Sequence, residues 1–303
     1  MKIGVIMGGI STEREVSLSS GKEIMDNIDR SKYEVKQVII DKKDDIIEKT
    51  KDIDFALLAL HGKYGEDGNV QAILESLDIP YSGCDMLSSA ISMNKDISKA
   101  VLKSRDIRTA PWIIYGVGDE VLEKDIKSLG YPVVSKPNSG GSSVATYICS
   151  NFEEVKDAVK DGLNYDNEVM VEKFIGGDEV TVPILDGEVL PTLIIKPQMG
   201  GFFDYESKYQ AGGATEEIIV FEENLQSEID KLALDTYNAL KCSVYSRVDL
   251  IIKDKVPYVL EINTLPGMTK TSLFPKSASH VGISFSGLID RIIEVSLRER
   301  SAE

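Results

Sequence analysis

The sequence predicts an α/β protein that begins with a parallel sheet, and three observations support this fold class. Residues 2–7 form a short apolar strand that ends at the glycine pair Gly8-Gly9. A helical segment follows, and a second strand is predicted at 34–40. A third strand, 55–60, is almost entirely apolar and stops at His61-Gly62. Strand, glycine turn, helix and strand in this order are typical of a parallel α/β sheet.

The first helix has its own start signal. Thr12 and Glu15 have the spacing of a capping box, which predicts that the helix begins there. Ligands of parallel sheets bind beyond the carboxyl ends of the strands. Segments 8–15 and 61–68 both follow strands, so both are candidate substrate-binding segments.

Two further regions follow in the chain. The region that begins near Asn94 has predicted strands at 131–136, 144–149 and 168–174 and a predicted helix at 151–161. The last region holds strands at 179–185, 189–195, 243–252 and 256–262, a helix at 225–240 and a closing amphipathic helix. The expected domains are residues 1–92, 93–178 and 179–303. Within the last, the polar, aperiodic segment 197–215 is either a functional lid loop or a disordered excursion.

Composition and charge exclude several classes of function. Lys and Arg number 34 and Asp and Glu number 50, so the net charge is −16. This balance argues against nucleic acid or an anionic membrane as the main partner. Cys84, Cys149 and Cys242 are widely spaced, which indicates reduced thiols in a cytoplasmic protein. No apolar stretch is long enough for a signal-peptide core or a membrane span.

A divalent-metal site is predicted where two strands near the C-terminus form a hairpin. Asp249 lies on one strand, Glu261 and Asn263 lie on the next, and the turn falls near Lys255. This pairing sets Asp249 roughly opposite Glu261, and opposed like charges destabilise a sheet. Two carboxylates with an amide oxygen beside them suit Mg²⁺. The alternative is a set of polar residues on a solvated sheet face.

A glycine-serine loop is the candidate phosphate site. Residues 136–143 read Lys-Pro-Asn-Ser-Gly-Gly-Ser-Ser, with Lys136 at the end of a buried strand. Glycines let the backbone approach an anion closely. A lysine that faces inward needs an anionic partner. The lysine precedes the glycines, so this is not a P-loop of the common kind, and a plain hairpin loop is the alternative. Lys95 and Lys208 are weaker phosphate candidates.

Together these segments resemble the ATP-grasp superfamily and, within it, the D-alanine–D-alanine ligase family. The resemblance covers nearly the whole chain and predicts an N-terminal Rossmann-like domain followed by a two-part ATP-grasp fold. It rests on five motifs in order: M-G-G-x-S-x-E at 7–13, H-G-x-x-G-E-D-G at 61–68, G-S-S-V at 141–144, D-Y-E-x-K-Y at 204–209, and R-x-D at 247–249 with E-x-N-T-x-P-G-M-T-x-x-S at 261–272.

The resemblance implies an activity. ATP would activate one D-alanine as D-alanyl phosphate, and a second D-alanine would attack it to give D-alanyl-D-alanine for peptidoglycan synthesis, cell wall biogenesis and cell shape. The cofactors implied are ATP and two Mg²⁺ ions, for which Mn²⁺ can substitute. A homodimer is also implied.

The resemblance also implies residue roles. Asp249, Glu261 and Asn263 would hold the metal ions. The implied nucleotide-binding residues are Lys95, Lys136, Ser143 and Lys208 at the phosphates, the acids Glu172 and Glu179, and the adenine hinge Lys173, Phe174 and Ile175. The implied substrate and catalytic residues are Glu13 and His61 for the first D-alanine, Ser142 and Tyr209 to orient Glu13 and the lid, Arg247 and Gly267 at the oxyanion, and Ser272 for the second carboxylate.

Some features depart from the family pattern, and other functions stay open. Gly140 stands where relatives commonly have an acid, and Ala145 replaces a glycine, so strain is expected there if the backbone needs a positive φ. A ligase of the same fold that uses D-lactate or D-serine as second substrate is the nearest alternative. A nucleotide-binding relative without catalysis is another, and the full set of metal and phosphate residues speaks against it.

Overall fold

A computed structural model describes residues 1–197 and 214–301 of the chain. These residues form three β-sheets and the helices that connect their strands. Two residues predicted for the lid, Lys208 and Tyr209, lie outside these ranges. Over the described residues, no helix has the length and apolar character needed to cross a membrane.

The N-terminal sheet is parallel, as predicted. Its strands are β1 (Lys2–Gly8), β2 (Glu34–Ile40) and β3 (Phe55–Leu58), in the order β2-β1-β3. The helices of this region are α1 (Arg14–Asn27), α2 (Asp45–Lys49), α3 (Asn69–Ser76) and α4 (Met86–Met93).

The predicted capping box was wrong. Helix α1 begins at Arg14, its N-cap residue is Glu13, and no side chain caps it. Glu13 instead accepts a hydrogen bond from Ser142 in a distant loop. The capping-box spacing of Thr12 and Glu15 is therefore present in the sequence without the hydrogen bonds that define the motif.

The central sheet is antiparallel. Its strands are β4 (Trp112–Gly116), β5 (Val133–Pro137), β6 (Tyr147–Cys149) and β7 (Glu168–Lys173), in the order β4-β7-β5-β6. Its helices are α5 (Lys95–Ser104), α6 (Glu123–Leu129) and α7 (Phe152–Gly162). Strand β6 starts three residues later than predicted, because Ala145 has φ of 51° and extended backbone begins only beyond it.

The C-terminal sheet is also antiparallel. Its strands are β8 (Asp178–Leu185), β9 (Glu188–Val189), β10 (Leu193–Pro197), β11 (Ala214–Ile218), β12 (Tyr245–Lys253) and β13 (Val256–Asn263). The order is β11-β10-β8-β12-β13, and β9 pairs with β8. The single strand predicted at 189–195 is two strands, separated at Pro191, which has no N–H to donate to a sheet. The helices are α8 (Glu223–Ala239), α9 (Leu273–His280) and α10 (Phe285–Arg300).

Two features join the sheets to one another. Helix α10 buries Leu288, Ile289, Ile292 and Ile293 in the same hydrophobic core as strand β1. Elsewhere a bridge between Thr109 and Val259 connects the segment before β4 to strand β13. Thr109 Oγ1 donates to the Val259 carbonyl at 2.8 Å, and Val259 N donates to the Arg108 carbonyl at 2.9 Å. The central and C-terminal sheets are therefore held together beside the space they enclose.

Candidate active site

A cavity of about 520 Å³ lies between the central and C-terminal sheets. That volume is in the range of small-molecule binding sites. The structure brings many of the predicted site residues to its wall, namely the nucleotide and metal residues Lys95, Lys136, Ser143, Glu172, Lys173, Phe174, Ile175, Glu179, Asp249 and Glu261 and the catalytic candidate Ser142. Segments far apart in sequence thus converge on one chamber.

The hairpin of β12 and β13 has the predicted register. Asp249 pairs with Glu261, and Arg247 pairs with Asn263. Asp249 is buried and accepts hydrogen bonds from two side chains. Arg247 donates through Nε to Oδ1 at 2.9 Å and through Nη2 to Oδ2 at 2.7 Å, and Thr181 Oγ1 donates to Oδ1 at 2.5 Å. The Asp249 carboxylate is thus held beside the cavity by the Arg247 guanidinium and the Thr181 hydroxyl.

The two opposed carboxylates fit a divalent cation only in part. Asp249 and Glu261 both face the cavity. Asn263 Oδ1 accepts the Leu265 N–H at 2.9 Å, and Asn263 is not among the described lining residues. No group of three or more His, Cys, Asp and Glu side chains within 1–197 and 214–301 forms a metal site. A cation between Asp249 and Glu261 would therefore take further oxygens from Asn263, water or a bound phosphate, as Mg²⁺ does in many nucleotide sites.

The glycine-serine loop after β5 is fastened at its base by Asn138. Asn138 is buried, its Nδ2 donates to Glu168 Oε2 at 2.8 Å, and its Oδ1 accepts the Asp96 N–H at 2.8 Å. Lys95 Nζ reaches the Gly140 carbonyl at 2.5 Å and lies 3.4 Å from Glu261 Oε2. Lys95 thus connects the loop to the carboxylate pair.

The same loop has an unusual backbone. Ser142, Ser143 and Ala145 have φ of 56°, 57° and 51°, which is the left-handed region. The expectation that Ala145 occupies a position suited to glycine is confirmed. Backbone N–H groups in such turns can form a concavity that binds anions. The loop therefore presents N–H and hydroxyl donors at the cavity.

A buried carboxylate lies between two lysines on the wall that the central sheet forms. Glu172 Oε1 is 2.6 Å from Lys136 Nζ, and Oε2 is 2.6 Å from Lys99 Nζ. Burial acts to raise the pKa of Glu172, but the two ammonium groups outweigh it and hold that pKa at about 2. Glu172 is therefore a permanent anion at this wall.

Lys99 was not singled out from the sequence, although its position carried a signal. It lies four residues after Lys95 and three before Leu102 on helix α5, and all three side chains are buried. A lysine in phase with the apolar face of an amphipathic helix needs an anionic partner, and Glu172 supplies it.

A second group of predicted residues meets on the other side of the loop. Ser142 Oγ donates to Glu13 Oε1, and Ser11 Oγ donates to the His61 carbonyl at 2.7 Å. Gly62 leaves room for this meeting, because a Cβ there would lie 2.7 Å from Glu13 Oε2. Ser142 thus contacts Glu13 and also lines the large cavity.

His61 is buried and is held from both ring nitrogens. Nε2 is 3.2 Å from Ser20 Oγ, and Nδ1 is 3.4 Å from Glu66 Oε1. Burial raises the pKa of Glu66 above its ordinary value, and His61 opposes that shift. The imidazole is thereby fixed between Ser20 of α1 and Glu66.

Gly267 and Ser272 meet at the start of helix α9. Ser272 is the N-cap residue, its Oγ accepts the Thr269 N–H at 3.1 Å, and a Cβ on Gly267 would lie 2.9 Å from that oxygen. Ser272 and the first N–H groups of α9 form a compact polar turn that favours a negative charge. Arg247 and Gly267 lie outside the described lining of the large cavity.

Comparisons with known proteins agree with this arrangement. A family model described as D-ala D-ala ligase N-terminus matches residues 2–49 and 43–84, and one described as D-ala D-ala ligase C-terminus matches residues 101–294. A D-alanine–D-alanine ligase from Clostridium beijerinckii is 59% identical over 299 residues, which cover 98% of this chain and 99% of that protein.

Two solved structures extend the comparison. The D-alanine–D-alanine ligase of Bacillus anthracis, complexed with ATP, has a TM-score of 0.92 and 48% identity, covering 100% of this chain and 99% of that one. The VanG D-Ala:D-Ser ligase of Enterococcus faecalis has a TM-score of 0.84 and 31% identity, covering 98% of this chain and 99% of that one.

Proposed function

The chain belongs to the D-alanine–D-alanine ligase family, and from this we infer that it uses ATP to join two D-alanine molecules into D-alanyl-D-alanine. The observation that carries the inference is the full-length match, at 59% identity, to a ligase of that name. The cavity between the sheets supports it, because lysines, carboxylates and a glycine-serine loop surround one small-molecule chamber.

The nucleotide is assigned to the large cavity. Lys95, Lys136 and the donors of Ser143 would bind phosphate oxygens, and Lys208 would join them from outside the described residues. Lys173, Phe174 and Ile175 would hold the adenine against the backbone of the hinge. Glu172 and Glu179 would accept hydrogen bonds from the base and the ribose. The alternating donors and acceptors along this wall suit a nucleoside triphosphate.

Magnesium is assigned to the β12–β13 hairpin, with Asp249, Glu261 and Asn263 as its protein ligands. When bound, two Mg²⁺ ions would neutralise charge on the phosphate chain during phosphoryl transfer. Mn²⁺ would be an acceptable substitute because it prefers the same oxygen ligands. Arg247 would keep the Asp249 carboxylate oriented.

The amino-acid substrates are assigned to the region between Glu13 and Ser272. Glu13 would bind the ammonium of the first D-alanine, with His61 beside it and Ser142 holding the Glu13 carboxylate. Tyr209 would complete this contact from the lid. Ser272 and the start of α9 would bind the carboxylate of the second D-alanine.

The reaction then follows from positioning and charge. The carboxylate of the first D-alanine attacks the γ-phosphorus, ADP leaves, and D-alanyl phosphate forms. The free amine of the second D-alanine attacks the acyl carbon, and phosphate leaves from the tetrahedral intermediate. Arg247 and the Gly267 N–H would stabilise the oxyanion, a kind of contribution worth about 10²–10³ in rate for one donor.

Several further features of the family are part of the proposal. We assign residues 1–92 to substrate binding and residues 93–178 and 179–303 to the two halves of the ATP-grasp fold, with residues 197–215 as the lid. The last helix crosses this division, because α10 packs on the N-terminal sheet. We also assign the protein to the cytoplasm, as a homodimer that supplies a dipeptide for peptidoglycan.

The test is phosphate release from ATP with identification of the amino-acid product. Release should depend on D-alanine and magnesium, and the product should be D-alanyl-D-alanine. Mixtures of D-alanine with D-lactate or D-serine at neutral pH test the acceptor, and D-alanine should be preferred. A protein that binds ATP but releases no phosphate with D-alanine would contradict the ligase assignment, and a preference for either competitor would identify the alternative ligase.

A further inference from the structure

We propose that Lys99 is a positioning residue of the nucleotide site, which acts through Glu172 from behind the cavity wall. The inference rests on the proposed function, because it takes the cavity between the sheets as the ATP site. It assigns a role to a side chain that itself does not line the cavity.

The Lys99 side chain is enclosed by other side chains of the described residues. Only 1% of the residue is exposed. Its Nζ lies 2.6 Å from Glu172 Oε2 and 2.8 Å from Thr109 Oγ1, and 5.5 Å from the centre of the Trp112 ring. Thr109 in turn donates to the Val259 carbonyl of strand β13 at 2.8 Å. Lys99 thus joins Glu172 of the central sheet to the C-terminal sheet, on the two sides of the cavity.

The charge balance gives Lys99 a consequence for the ligand. Each carboxylate oxygen of Glu172 contacts a different lysine: Oε2 contacts Lys99 and Oε1 contacts Lys136. The three side chains carry two positive charges and one negative charge, so this group presents one net positive charge at Lys136, where it faces the lining carboxylates Glu179 and Glu261. Without Lys99 both carboxylate oxygens would turn to Lys136, and the positive charge available to the polyanionic nucleotide would be neutralised.

Glu172 would also lose its fixed orientation. A buried carboxylate oxygen without a partner is costly, so the side chain would rotate toward the remaining ammonium. The proposed acceptor for the adenine would then move relative to the hinge at 173–175. Loss of Lys99 should therefore weaken ATP binding and reduce selectivity for adenine over guanine.

The primary measurement is the Kd for MgATP by calorimetry, without D-alanine. Lys99→Met should bind MgATP about tenfold more weakly than the wild type, which corresponds to about 1.4 kcal/mol. The same variant should lose selectivity for MgATP over MgGTP by several-fold. Lys103→Met is the matched control, because Lys103 is an exposed lysine on the same helix, and its Kd should stay within twofold.

A double-mutant cycle separates positioning from mere packing. If Lys99 acts through Glu172, Lys99→Met should change the Kd by less than twofold when it is introduced into Glu172→Gln. Independent tenfold losses that multiply in the double variant would overturn the proposal, as would a Lys99→Met protein with wild-type affinity and selectivity. Should Lys99→Met fail to fold, Lys99→Gln takes its place in the cycle, because its amide can still donate to Glu172 or Thr109 while the positive charge is lost.

The outcomes also separate this inference from the proposed function. A wild type that makes D-alanyl-D-alanine while Lys99→Met binds MgATP normally would refute the role of Lys99 only. If Lys99→Met binds MgATP more weakly than the wild type, but the wild type makes no dipeptide, only the ligase assignment is refuted.

Discussion

Glu261 is the single side chain whose loss should affect turnover most. It faces Asp249 across the hairpin and lies 3.4 Å from Lys95 Nζ at the cavity. We expect Glu261→Ala to lower kcat by about a hundredfold or more, the scale for losing one group that stabilises transition-state charge. Circular dichroism and a thermal melt should show a folded protein, because removing one of two opposed carboxylates relieves repulsion.

The control for that variant lies on the same hairpin. Asp254 is exposed in the β12–β13 turn and has φ of 51°, a conformation that asparagine also adopts readily. Asp254→Asn should keep wild-type kcat. Near-normal activity of Glu261→Ala at physiological magnesium would argue against the metal assignment.

Ala145 should be a point of stored strain in the phosphate loop. Its φ of 51° is unfavourable for a residue with a Cβ. Ala145→Gly should therefore stabilise the protein by about 1 kcal/mol, measured as the shift of a denaturant unfolding curve. Ala72→Gly, inside helix α3, should have the opposite effect by a similar amount. A destabilised Ala145→Gly would show that the loop does not hold this conformation in solution.

Among the elements, regular segments followed from the sequence, whereas contacts between regions followed only where the family resemblance implied them. Periodicity located β2 and the β12–β13 hairpin, and counting from the turn set Asp249 opposite Glu261. The start of α1 was missed because the Thr12–Glu15 spacing matches a capping box although no side chain caps the helix. The contact of Ser142 with Glu13, 129 residues away, agrees with the role that the family resemblance implied. The partnership of Lys99 with Glu172, 73 residues away, was missed because local sequence pattern carries no information on which distant group contacts a buried side chain.

Helix α10 should stabilise the N-terminal sheet more than it stabilises the C-terminal sheet, to which it is closer in sequence. Ile289 is fully buried in the core that contains strand β1. Ile289→Ala should lower the free energy of unfolding by about 3 kcal/mol, and the loss should be visible in hydrogen exchange of the β1 and β3 amides. Glu294→Ala, on the exposed face of the same helix, is the control. Unchanged protection of β1 in Ile289→Ala would contradict the shared core.

At the scale of the whole molecule, carboxylates with lowered pKa values predict a loss of stability in acid. The Asp41 N–H and Lys49 hold the pKa of Asp45 at about 2, and Lys2 and Lys36 do the same for Asp52, against an ordinary value of 3.8. Glu172 is also held at about 2, against 4.5. Because these values are lower in the folded state, their contribution is complete above about pH 4.5 and disappears as pH falls toward 2.

The melting temperature should accordingly fall steeply between about pH 4.5 and pH 2.5. Asp52→Asn removes one of these carboxylates, so its melting temperature should fall less over the same interval. A melting temperature that is constant, or that rises with acid in this window, would show that these pairs do not form in solution.

The return of α10 to the first strand also has a bearing on biosynthesis. Ile3 and Ile293 belong to one core, so the sheet that contains β1 lacks part of its apolar cover until about 290 further residues have been translated. A nascent chain would expose that uncovered face throughout elongation, at the usual rate of about 5–20 residues per second. Strand β1 is thus covered long after it is translated, and its exposed face is where a chaperone would have a long opportunity to bind.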